Sequence, residues 1–68
     1  MENKEEFIKG IESSIRHACP MIEEINYKTD KCKEYVEITY YGETTDRISV
    51  TGDSEIAILY DISKFLML

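Results

Sequence analysis

Tyr35-Val36-Glu37-Ile38-Thr39-Tyr40-Tyr41 is the stretch that decides the fold. It is rich in β-branched and aromatic residues, and its period is two. Val36, Ile38 and Tyr40 share one side, while Tyr35, Glu37, Thr39 and Tyr41 share the other. Upstream the same period holds, with Ile25 and Tyr27 alternating against Glu24, Asn26 and Lys28, and the polar Asp30-Lys31-Cys32-Lys33 supplying a turn. Downstream, Gly42-Glu43-Thr44 makes a short hairpin loop before a third strand over 45–51, with Ile48 and Val50 inward and Arg47 and Ser49 outward. Both connections are too short for a crossover, so the three strands form an antiparallel meander.

The flanking segments change period. Over residues 3–19, Phe7, Ile8, Ile11, Ile15 and Ala18 recur at three-and-four spacing, and Glu5, Glu6, Lys9, Glu12, Ser13 and Arg16 fall on the opposite face. Pro20 ends this helix near Cys19. Gly10, which costs about 1 kcal/mol against Ala in a helix, is expected to mark a close packing contact. Gly52-Asp53-Ser54-Glu55 reads as a helix start, with Asp53 or Ser54 as the cap. Ile56, Leu59, Ile62, Phe65 and Leu66 then give an apolar face running to the end of the chain. The order is α-β-β-β-α. The apolar sheet face must be covered and the helices are the only cover, so we expect an α+β fold with both helices on one face of a three-stranded antiparallel sheet. Residues 1–68 are expected to form a single domain.

A chain of 68 residues has room for one modest core and none to spare for an elaborate catalytic cavity. His17 is the sole histidine and has no partnered nucleophile signature, so no enzyme is expected. Cys19 and Cys32 are too few and too separated for a zinc site or for pairing with each other, and they read as free thiols. Gly52-Asp53-Ser54-Glu55 lacks the ligand ladder of a calcium loop, and no metal or cofactor is expected. No apolar run approaches the roughly 20 residues of a membrane span. The acidic start, Met1 to Glu6, is unlike a secretion signal, which gives the cytoplasm as the expected setting.

Charge narrows the partners. Fourteen acidic against eight basic side chains give a net charge of −6, which opposes direct binding to nucleic acid or anionic membrane. Tyr27 and Tyr40 have inward parity and belong to the core. Tyr35 and Tyr41 have outward parity and suit cross-strand packing or, with Arg47, a protein contact. The acidity lies elsewhere: Glu2, Glu5, Glu6 and Glu12 on the first helix, then Asp30, Glu34, Glu43, Asp46, Asp53, Glu55 and Asp61. Among these, Glu34, Glu43, Asp46, Asp53 and Glu55 lie in or beside turns and are the expected partner-binding acids. The terminal Phe65-Leu66-Met67-Leu68 cannot all face one core from one helix, so Leu66, Met67 and Leu68 are candidates for an interface.

The element order and length resemble the double-stranded-RNA-binding domain over nearly the whole chain. That family reads RNA with lysines opening its second helix, where this chain has Asp53, Ser54 and Glu55, so its RNA-binding residues are not carried over. Val36-Glu37-Ile38-Thr39-Tyr40, followed by Ser49-Val50-Thr51-Gly52-Asp53-Ser54-Glu55-Ile56-Ala57, looks like small acidic proteins of phages and mobile elements. Some of those are anti-CRISPR inhibitors that occupy the DNA-reading groove of a nuclease. The resemblance implies a non-enzymatic inhibitor that presents an acidic, DNA-mimicking surface to a basic nucleic-acid-binding protein of the host. The alternative expectation is a small self-associating module, a homodimer formed through Tyr35 and Tyr41 or through the C-terminal end.

Overall fold

The computed structural model describes residues 3–68; Glu2, counted above among the acids of the first helix, lies outside the described residues. The elements are α1 (Lys4–Ala18), β1 (Ile22–Asp30), β2 (Lys33–Tyr40), β3 (Thr45–Ser49) and α2 (Glu55–Leu66). The strands form one antiparallel sheet in the order β1-β2-β3, with both helices on the same face. This is the α-β-β-β-α arrangement that the periodicity predicts.

Register explains the core. Ile25 pairs with Ile38 and Tyr27 with Val36, while Val36 also pairs with Ile48 on β3. These residues share the covered face. Ile22, Ile25, Val36, Ile38 and Val50 from the sheet side meet Ile8 and Ile15 of α1 and Ile58 and Ile62 of α2 in one cluster with almost no exposed area. A bulge between Ile22 and Glu24 lets both Ile22 and Ile25 face inward although three positions separate them.

Both helices start on a side-chain cap. Asn3 accepts from the Glu6 N–H, and Ser54 accepts from the Ala57 N–H. Ser54 is therefore the cap of α2, and Asp53 stands just outside the helix. The first hairpin is tighter than the sequence suggests: β1 runs to Asp30 and β2 begins at Lys33, so only Lys31 and Cys32 turn, with Lys31 at φ 59°. The second turn puts Gly42 and Glu43 at φ 98° and 70°.

α1 also closes one edge of the sheet. The outward-pointing Ile25 N–H donates to Glu12 Oε2 at 2.8 Å, and Lys9 Nζ donates to the Ile25 carbonyl at 2.9 Å. Arg16 Nε donates to the Ile22 carbonyl at 3.3 Å. Three polar side chains from successive turns thus satisfy the free groups of β1, which blunts an edge that would otherwise template pairing with another chain.

Three expectations need correcting. Gly10 has open space around it and marks no close contact, because it points to solvent from α1. Ala18 is exposed, while Ile15 before it is buried and Cys19 after it packs against the core. Ile56 is 73% exposed, and the buried residues of α2 are Ile58 and Ile62. At 100° per residue, Ile56 lies about 160° from Ile58, almost opposite the core.

Candidate protein-binding surface

The predicted acids do not form one patch. Glu34 is the second residue of β2, whereas Glu43 lies in the turn beyond its far end, on the order of 25 Å away along the strand. Each of the five has its own surroundings.

Glu34 is committed internally. Its Oε1 accepts from Lys4 Nζ of α1 at 2.7 Å and from the Tyr27 hydroxyl of β1, and its Oε2 accepts from the Gly52 N–H at 2.8 Å. Lys4, Tyr27 and Gly52 hold its carboxyl down at about 2. Burial and the neighbouring Glu34 push the Tyr27 phenol up to about 12. The Glu34 backbone joins the same tie, its N–H donating to Thr51 Oγ1 and its carbonyl accepting from the Val50 N–H. One side chain thereby fastens α1, β1 and the connection leading into α2.

Asp53 is half-buried, with Oδ2 fully covered and without a donor. It faces Asp61 of α2; that carboxyl raises the Asp53 pKa, helped by burial, while Lys4 acts in the opposite direction. A carboxylate facing another disfavours the second negative charge. Asp46 has inward parity opposite Ile38 and is half-buried beside Tyr40, whose phenol is raised by burial and then by Asp46. Glu55 is half-buried in the first turn of α2. Glu43 is exposed in its turn.

The open sheet face is internally satisfied. Glu37 at its centre accepts from Arg47 Nε of β3 at 3.1 Å and pairs with Lys28 Nζ of β1 at 3.2 Å. Arg47 also lies over the Tyr35 ring, 5.2 Å from its centroid. Lys28 and Arg47 together outweigh the partial burial of Glu37 and lower its pKa. Tyr41 is not Tyr35's companion here. It follows β2, and its hydroxyl accepts from Arg16 Nη2 of α1 at 3.1 Å. The two outward tyrosines therefore sit at opposite ends of the strand.

The least satisfied surface is apolar and lies on α2. Ile56 is 73%, Tyr60 65% and Met67 90% exposed. Ile56 and Tyr60 fall within about 40° of each other on the helix circumference, opposite Ile58 and Ile62. Ser63, small and half-buried, occupies the next position along the row. Phe65 and Leu68 add exposed apolar area at the C-terminal end, while Leu66 packs partly against the core.

Met67 carries a second mark. It adopts φ 61° and ψ 40°, with its N–H donating to the Lys64 carbonyl and the Leu68 N–H donating to the Ser63 carbonyl. This is a Schellman ending, at whose left-handed position glycine is the usual residue. A side chain there costs about 1 kcal/mol.

Sequence reasoning placed Met67 and Leu68 in a possible interface, but it turned Ile56 inward and gave Tyr60 no role. The spacing of 56, 60, 63 and 67 was the signal available. It was masked because α2 is apolar around most of its circumference, so periodicity alone does not say which side meets the sheet.

No family model, curated protein or solved structure matches the chain. Among the described residues, no three His, Cys, Asp or Glu side chains are grouped to hold a metal ion, and no helix is long and apolar enough to cross a membrane.

Proposed function

We propose that this chain works by binding another protein, not by catalysis, and that the outer face of α2 is its contact surface. The observation that carries this reading is the exposed apolar pair Ile56 and Tyr60 on α2, continued by exposed Met67 just past its last turn, on a helix whose other side buries Ile58 and Ile62 in the core. Exposed apolar groups gathered on one face mark interaction sites more often than scattered ones do. Tyr and Met also suit the work, since both are enriched at the centre of interfaces. The cytoplasm is the setting we propose, which the free thiols of Cys19 and Cys32 support.

The test is a photo-crosslinking amino acid at position 60, compared with one at Lys28 on the open sheet face, in cells producing the chain. Protein adducts at 60 and none at 28 are expected. No adduct at 60 overturns the reading.

A second reading is that the chain acts as a mobile-element inhibitor, its acidic surface occupying the basic groove of a nucleic-acid-binding protein. The exposed Glu5, Glu6, Glu23, Asp30 and Glu43 support it, in place of the internally engaged Glu34, Asp46 and Asp53. Such binding weakens steeply as salt rises, whereas an apolar contact does not.

A further inference from the structure

We propose that the occupant of the α2 face is a second copy of this chain, the two helices packing antiparallel along Ile56, Tyr60, Ser63 and Met67. The proposal rests on the reading of that face as a binding surface and names its partner. Ile56, Tyr60 and Ser63 lie on α2 and Met67 directly follows it; the four are spaced four, three and four apart, as in the seam of a heptad pattern, and the opposite side of the helix faces its own core.

A row with this spacing is complementary to itself when one copy is inverted. A two-fold axis passing between positions 60 and 63 sets Ile56 against the second copy's Met67, and Tyr60 against the second copy's Ser63. Each large ring then meets a small neighbour, and the flexible Met67 fills the space beside a branched chain. Parallel pairing would instead set Tyr60 on Tyr60 and Ser63 on Ser63, crowding one level and leaving a gap at the next. Inversion also runs the two helix dipoles in opposite senses, so each helix end lies beside the oppositely polarised end of its neighbour.

Area and charge agree with a weak dimer of this kind. The exposed parts of Ile56, Tyr60 and Met67, with the half-buried flank, present on the order of 500 Å² per copy, so pairing removes at most about 1,000 Å² in total, the lower edge for a specific interface. Two copies of charge −6 repel each other, but the row itself holds no acid, and Lys64 beside it adds a positive charge to this face. Met67, held in the left-handed conformation that glycine adopts at less cost, gains a use for its side chain in the contact with Ile56.

Sedimentation equilibrium on the full chain tests the proposal. A monomer–dimer equilibrium with a dissociation constant on the order of 10⁻⁵ to 10⁻⁴ M is expected. Tyr60→Glu and Met67→Glu, both at exposed positions and checked for folding by circular dichroism, should each weaken it at least about tenfold. Tyr41→Glu, on a different surface, should leave it unchanged. Mixing Tyr60→Cys with Ser63→Cys under mild oxidation should give the mixed 60–63 disulfide, identified by peptide mass spectrometry. A strict monomer at about 0.5 mM, a dimer indifferent to Tyr60→Glu, or predominant 60–60 and 63–63 disulfides would each overturn it. A strict monomer whose position 60 still crosslinks to a different protein in cells removes the second copy and leaves the binding reading of α2 standing. A chain with no adduct at 60 loses both.

Discussion

Glu34 and Asp53 are neighbouring carboxyls with opposite responses to pH. The Glu34 carboxyl is held at about 2 in the folded chain, below its ordinary value of 4.5. Its contribution to stability is present above that ordinary value and is lost as pH falls toward 2. Replacing it by Ala should lower the melting temperature by about 5 °C at pH 7, with the difference fading as pH falls through 4.5 toward 2. Asp53 is raised above its ordinary 3.8 by Asp61 and by burial. Its contribution is fully present below that ordinary value and is lost as pH rises through the higher folded value. Asp61→Asn should therefore raise the melting temperature at pH 7 and leave it nearly unchanged at pH 3. Thermal unfolding followed by circular dichroism across pH checks both. Alternation along β2 makes Tyr35 and Glu37 legible as outward residues, but the stacking of Arg47 on Tyr35 depends on the β2–β3 register, which no local pattern states.

At the scale of elements, the two faces of α2 differ in what a substitution costs. Ile58→Ala should destabilise the chain by about 3 kcal/mol, because Ile58 is fully buried and its loss leaves a cavity. Ile56→Ala should change stability by less than about 0.5 kcal/mol. Urea denaturation measures both, and equal costs would contradict the helix rotation described above. α1 offers the converse case: Gly10 is exposed, helical and free of contacts, so Gly10→Ala should stabilise by about 0.5–1 kcal/mol. The strands and α1 were readable because each mixes apolar and polar residues with a clear period. α2 was readable as a helix from its cap and spacing, but its orientation was not, since Ile56, Ile58, Leu59 and Ile62 all suit a core by themselves.

For the whole molecule, net charge and the α2 face make opposed predictions about salt. Self-association of two chains of charge −6 through an apolar row should tighten severalfold as sodium chloride rises from about 20 to 300 mM, because screening removes repulsion and leaves burial intact. Binding through an acidic surface to a basic groove should weaken over the same range. Sedimentation in the two buffers separates them.

The sequence by itself determined the element order, the meander and the inward-facing residues of β2, because turn chemistry and a period of two or of three to four are local properties. It also determined the net negative charge. Only the tertiary structure decided that Glu34 is an internal fastener, that Asp53 faces a second carboxyl, and that α2 turns Ile56 and Tyr60 away from the core. Each of those depends on which elements meet and in what register, and that is set by the joint burial, among the described residues, of nine drawn from both helices, the sheet and Val50 just after it, not by any one segment.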